Sequence, residues 1–181
     1  MIVPALSTPR LRLRARTLDD VEANLAMDMD PEVQRHLPNL HDRSPDAHRK
    51  ELTDRILDGW PRTGALWVVE WRDPQAAGGP AGFLGWCALF PLQESGLIEI
   101  GYRYVPAVWG RGVATEAGRA VLDHGFRVMG FDPIVGVTAP ENLASQNVLT
   151  KIGLRPEGRQ FHYGLMLPFF ALRRSEHLGD D

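Results

Sequence analysis

The segment GYRYVPAVWGRGVATEAGRA, residues 101–120, decides how the rest of the chain is read. Leading into it, the stretch from Leu97 to Val105 alternates its side chains at period two, as a strand does. Beyond it, Val113, Ala117, Val121 and Phe126 recur at a spacing that gives a helix one buried face. Between the two stand Trp109, Gly110, Arg111 and Gly112. Glycine in place of alanine weakens local structure by roughly 0.5–1 kcal/mol, so the bare backbone is expected to serve a purpose. A strand that passes through Gly-Arg-Gly into a helix leaves consecutive N–H groups unpaired at the positive end of the helix dipole, which suits a phosphate. A tight strand-to-helix turn that needs glycine dihedrals explains the same residues without any ligand. The spacing matches neither the GxGxxG of dinucleotide sites nor the GxxxxGK of triphosphate loops. NAD and ATP are therefore disfavoured, and another phosphate-bearing ligand is left.

Outward from this junction, four strands precede it and hairpin spacing makes them antiparallel. They are Leu11–Arg16, Ala65–Trp71, Ala81–Phe90 and Leu97–Val105. Thr17 is placed to cap a helix running to Asp30, prolines at 31, 38 and 45 break the segment after it, and His48–Trp60 reads as a second helix. Asp73–Pro80 reads as a flexible turn. After the junction helix, Pro133–Ala139 is a nearly all-apolar strand suited to a position covered on both faces. A helix opened by Asn142 and closed by Gly153 follows, then two extended segments at 154–160 and 164–174 and a tail of seven residues. The expectation is one α+β domain over residues 1–181, core about 8–173, in α/β/α layers. Its central sheet is mixed and mostly antiparallel, with about seven strands.

With 181 residues, 44% hydrophobic and 24% charged, the composition is that of a folded globular chain, and a net charge of -3 gives no case for nucleic acid. The alternating Arg10, Arg12, Arg14 and Arg16 form the one basic patch, most simply a solvated face. Cys87 is the sole cysteine and sits in an apolar run, so neither a disulfide nor a cysteine nucleophile is expected. Six scattered histidines, His36, His41, His48, His124, His162 and His177, show no metal-binding spacing, and no metal is expected. No export signal or membrane span is apparent, which makes cytoplasm the default.

The residues IGYRYVPAVWGRGVATEA resemble the acyl-CoA-binding motif of the GNAT superfamily of N-acyltransferases. TPRLRLRARTLDD before them and ENLASQNVLTKIGLRPEG after them, in order and at family spacing, are similar to the branch holding the RimJ- and RimL-type ribosomal-protein N-terminal acetyltransferases. The resemblance runs from Thr8 to about Arg173. It implies a V-shaped splay between the fourth and fifth strands and acetyl-CoA as cofactor. In the signature Q/R-x-x-G-x-G/A, Gly112 and Ala114 take the last two places, and Trp109 stands where Gln or Arg is usual. Carried over by position, the N–H groups from Gly110 through Ala114, Val113 among them, cradle the pyrophosphate of coenzyme A. Arg111 adds a side-chain contact or is merely solvated, Thr115 offers its hydroxyl, and pantetheine bonds main chain around Tyr104 and Val105. Asn142 and Asn147 complete the expected cofactor set, although Asn142 as a helix cap is explanation enough for its presence.

Acyl transfer from a thioester to an amine needs a neutral amine, donors for the developing oxyanion and help for the departing thiolate. Glu99, an acid on the strand feeding the cleft, is the expected base; a cross-strand ion pair is the plain alternative, and Glu94 on the preceding turn is a looser choice. Ser145 belongs to the motif whose serine the resembled enzymes place at the thiolate, and no tyrosine near the end of its helix offers an acid there. Its other reading is as a cap for its own helix. The acceptor is an amine, either the N-terminus of a ribosomal protein or a small molecule such as an antibiotic or polyamine. A cofactor-binding protein without turnover is the reading from another class. The acids Asp28, Asp30, Glu32, Asp42, Asp46, Glu51 and Asp54 are matched by Arg35, Arg43, Arg49 and Lys50, so charge does not choose the acceptor. Related enzymes are often dimers.

Overall fold

The computed structural model describes residues 3–37 and 43–179; Pro38, His41 and Asp42, named above, lie outside them. Its strands are β1 (Leu6–Ser7), β2 (Leu11–Ala15), β3 (Ala65–Trp71), β4 (Gly85–Pro91), β5 (Ile98–Tyr104), β6 (Ile134–Val137), β7 (Arg155–His162) and β8 (Leu165–Leu172). They form one sheet in the order β1-β2-β3-β4-β5-β6-β8-β7, in which only β5 and β6 pair parallel. The sheet is thus mixed and mostly antiparallel, with eight strands where about seven are expected. The added one, Leu6–Ser7, is too short for alternation to reveal it.

Period-two alternation gives the sheet two unlike faces. Leu11, Leu13, Trp67, Val69, Cys87, Leu89 and Ile100 turn to one side, where they bury Val113, Ala117, Val121, Leu122 and Phe126 of α5 (Val113–Arg127). The opposite side carries α1 (Val21–Met29), α2 (Pro31–Gln34) and α3 (Pro45–Leu57), with Val21, Leu25 and Leu52 forming a small cluster of their own. Strands β5 and β6 are in register only at Ile98 with Ile134 and Glu99 with Val135. Beyond these pairs they part, which opens the splay at the place expected from the motif.

Local chemistry shifts several boundaries. Asp20 turns its carboxylate back to the Thr17 N–H at 2.8 Å and to Arg14, so residues 18–20 tighten into a 3-10 turn before α1 begins. Pro45 does not break a helix but starts one, behind the Ser44 cap, where its missing N–H is harmless. The turn after β3 contains a single helical turn, α4 (Pro74–Ala77), capped by Asp73 through the Ala76 N–H at 3.0 Å. Leu143–Lys151 is α6, and part of the expected tail is a helix, α7 (Arg174–Leu178), with Glu176 folded back on the Arg173 N–H.

Candidate active site

A cleft of about 1020 Å³ begins at the splay and continues to the α1–α3 side. One wall is backbone. Gly110 and Gly112 adopt φ of +72° and +78°, a region that L side chains rarely occupy. The N–H groups of Gly110, Gly112, Val113, Ala114 and Thr115 find no acceptor in the surrounding turn, and all five residues line the cleft. No Cβ contact would arise at Gly110, whereas one at Gly112 would lie 3.3 Å from Arg10. An open row of donors at the start of a 15-residue helix fits the pyrophosphate of coenzyme A. The cradle is braced from outside. Glu116 accepts from Thr8 Oγ1 at 2.6 Å and from the Arg10 Nε at 2.6 Å, and Arg10 also donates to the Arg111 carbonyl at 3.1 Å.

Arg111 itself leaves the cleft. Its N–H donates to Val108 O at 3.3 Å, and its guanidinium lies 5.1 Å from the Trp71 ring and donates to the Ala77 carbonyl. It is thus directed toward Trp71 and Ala77 rather than simply solvated. Val105 is also turned away, because its N–H donates to Leu84 O in the β4 ladder at 2.9 Å. Antiparallel alternation then turns the main-chain groups of Tyr102 and Tyr104 toward the splay. The Tyr104 carbonyl is covered by Trp109, whose indole Nε1 donates to it at 2.8 Å. Free main chain along β5 is therefore centred on Tyr102, one turn of the ladder earlier than expected.

Glu99 is buried at the apex of the splay, and among the described residues it makes no ion pair. Tyr163, at φ +53° in the β7–β8 turn, donates its hydroxyl to Glu99 Oε2 at 2.7 Å, and the Val137 amide donates as well. Burial outweighs both bonds and pushes the carboxyl up to about 7. Glu94 is exposed on the turn and lies outside the cleft. On the other face of β5, Tyr102 Oη is 3.0 Å from Ser145 Oγ and 3.0 Å from the Ser145 carbonyl. Asn142 caps α6 by accepting from the Ser145 N–H at 3.0 Å. The Ser145 hydroxyl is thus not the cap; its partner is Tyr102. Asn147 lies exposed on the cleft rim without a side-chain partner. Cys87 is fully buried and its thiol is pushed up to about 12, which leaves it inert.

The third wall is made of side chains. Asp28, 1% exposed, accepts from Arg103 at 2.6 Å and Asn24 at 2.8 Å, and its Oδ2 lies 2.8 Å from His48 Nε2. Trp86 lies under Arg103 at 5.3 Å, and Trp60 packs on Phe90 at 5.4 Å between centroids. The arginines of the first strand form a solvated face only in part. Arg14 is bonded to Asp20 and Glu70 and Arg16 reaches into the cleft, whereas Arg10, bonded to Glu116, and Arg12 are exposed. Sequence reasoning missed Tyr102, Tyr163 and the Asp28 network. Tyr102 had a signal in its place on the splayed strand, while Tyr163 sits in a loop that carries none. Among the described residues no group of three or more His, Cys, Asp or Glu side chains is placed to hold a metal ion. No described helix is long and apolar enough to cross a membrane.

A splayed parallel pair beside a backbone anion cradle defines a transferase fold built for an acyl-CoA. Residues 10–155 match the family described as acetyltransferase (GNAT) domain. The chain belongs to that family and is an N-acetyltransferase that uses acetyl-CoA. It is 32% identical over 170 residues, 92% of each chain, to the uncharacterized N-acetyltransferase YoaA of Bacillus subtilis. The fold is similar to that of spermidine N-acetyltransferase from Vibrio cholerae in complex with CoA and spermine, with TM-score 0.74, 20% identity, and 95% and 100% of the two chains covered. It is equally similar to RimL, a ribosomal L7/L12 alpha-N-protein acetyltransferase in complex with coenzyme A, with TM-score 0.74, 17% identity, and 94% and 98% covered.

Proposed function

We propose that the protein acetylates a small primary amine by direct transfer in a ternary complex, with Glu99 as general base. The observation that carries this reading is a buried carboxylate with a pKa of about 7 at the apex of the splay. A base matched to neutral pH suits an amine that is mostly protonated there. Tyr163 and the Val137 amide fix the Glu99 oxygens, so the acceptor proton leaves in a set direction. The backbone donors of Gly110, Gly112, Val113, Ala114 and Thr115 hold the pyrophosphate, and the main chain of Tyr102 borders the pantetheine arm. The bound acetyl thioester supplies an activated acyl group. As the new C–N bond forms and the C–S bond breaks, Glu99 takes the amine proton. Ser145, positioned by Tyr102, donates a hydrogen bond to the sulfur that leaves.

The resemblance to RimJ- and RimL-type enzymes supports a protein N-terminus as acceptor, and the likeness to a spermidine acetyltransferase supports a polyamine. The acceptor wall favours neither a polycation nor a basic ribosomal segment. Arg16, Arg43, Arg55 and Arg103 line it, and its carboxylates Asp28 and Glu51 are already bonded to arginines. In Glu99→Gln, kcat/KM for an amine should fall about 10²–10⁴-fold. Its acid limb near pH 7 should vanish while calorimetric affinity for acetyl-CoA stays the same. A rate and limb like those of the parent protein would remove Glu99 from the role.

A further inference from the structure

The face of the sheet that bears Glu99 also bears a surplus of guanidinium groups. Arg43 and Arg55 share one carboxylate, Glu51, the latter at 2.6 Å. Arg103 is matched by Asp28 at 2.6 Å. Among the described residues Arg16 has no ion-pair partner, and its buried Nη2 has no hydrogen-bond partner at all. Burial and the like charge of Arg55 pull the Arg16 guanidinium down to about 10, against the distant pull of Asp20 and Asp28. Leaving a buried charged donor unpaired is costly, so a ligand group that pairs with it gains accordingly. His36 Nδ1, buried and without a partner, lines the same cleft.

The path from these groups to the base is aromatic. Glu99 and Phe90 are cross-strand partners, Phe90 packs on Trp60, and Arg55 and Arg16 lie 5.0 and 6.0 Å from the Trp60 ring. With cross-strand neighbours about 5 Å apart, the span from base to guanidinium is on the order of 10 Å. We propose that the acceptor is a small primary amine that also carries an anionic oxygen group, carboxylate or phosphate, bound by Arg16 and Arg55 while the amine stands at Glu99. Guanidinium forks match either anion in geometry, and an apolar middle of several methylenes or a ring lies on Phe90 and Trp60. This inference rests on the amine-acetyltransferase reading above.

The test compares acceptors matched in length, read by coenzyme A release: 6-aminohexanoate, 6-aminohexyl phosphate, hexylamine, spermidine and a tripeptide with an acidic second residue. The anionic small amines should exceed hexylamine in kcat/KM by about 10–100-fold, the value of a charge-assisted bond. Whichever of carboxylate and phosphate leads names the source of the anion. Arg16→Met should collapse that preference to within a few-fold, and Arg16→Lys should restore part of it. Hexylamine or spermidine equal to or better than the anionic pair overturns the proposal but leaves the amine reading intact. The tripeptide as best acceptor replaces a small molecule with a chain terminus and also overturns it. Acetylation of none of the five overturns both readings.

Discussion

The two sides of β5 prepare for their ligands by opposite means. Toward α5 the site is backbone: five open N–H groups and a bare strand edge, with side chains such as Arg111 directed elsewhere. Toward α1 and α3 it is side chains: Asp28, Arg16, Arg55, Arg103 and a floor of aromatic rings. A ligand part common to many reactions can be held by groups that every residue has. A part particular to one reaction needs side chains, which can change without disturbing the chain path.

The sharpest break of this contrast is at Asp28. Its removal strands Arg103 and His48 around a buried site, and losing one member of a buried pair costs about 3–5 kcal/mol. In a domain of this size Asp28→Ala should lower the melting temperature by roughly 10 °C, measured by calorimetry. A melt like that of the parent protein would mean that the acceptor wall is not keyed by its charges.

On the backbone side the expected effect is smaller and of another kind. Gly112→Val forces a branched residue to φ +78° and sets a side chain among the open donors. Affinity for acetyl-CoA should weaken about 100-fold, near 2.7 kcal/mol, with the acceptor KM unmoved. Unchanged affinity in a folded variant would shift the cradle away from this turn.

Smaller again is Ser145→Ala, because it tests one bond between the two sides. The donor it removes is worth about 1.5–3 kcal/mol to a developing anion at most, and kcat should drop about 10-fold or somewhat more. The melting temperature should stay constant, since Asn142 caps the helix. Full kcat with an earlier melt would make Ser145 structural and leave the thiolate to solvent.

What the sequence disclosed follows the same division. The glycine turn before α5 was legible because glycine before a helix of clear period is a local signal, and the place of Glu99 on its strand because alternation fixes which face it shares. For Arg111 and Val105, spacing gives their positions but not the acceptors at Ala77 and Leu84 that their N–H groups meet. Arg12, Arg14 and Arg16 alternate as a wet face would, but alternation does not reveal the carboxylates of Asp20 and Glu70 that hold Arg14 or the cleft that Arg16 enters. Tyr102 and Ser145 meet across 43 residues, and Tyr163 reaches Glu99 from a turn 64 residues on; no local pattern announces either.

Those separations bear on the order in which the contacts of the site can form along the chain. The brace on the cradle joins Thr8 to Glu116 across 108 residues, and the acceptor wall joins Asp28 to Arg103 across 75. Both can close while the ribosome is still adding residues beyond the middle of the chain. The tuning of the base cannot, because the Tyr163 turn and the strands flanking it are the last parts of the site to be made. On the proposed role of Glu99, the final hairpin is therefore the part of the chain that completes the surroundings of its carboxyl.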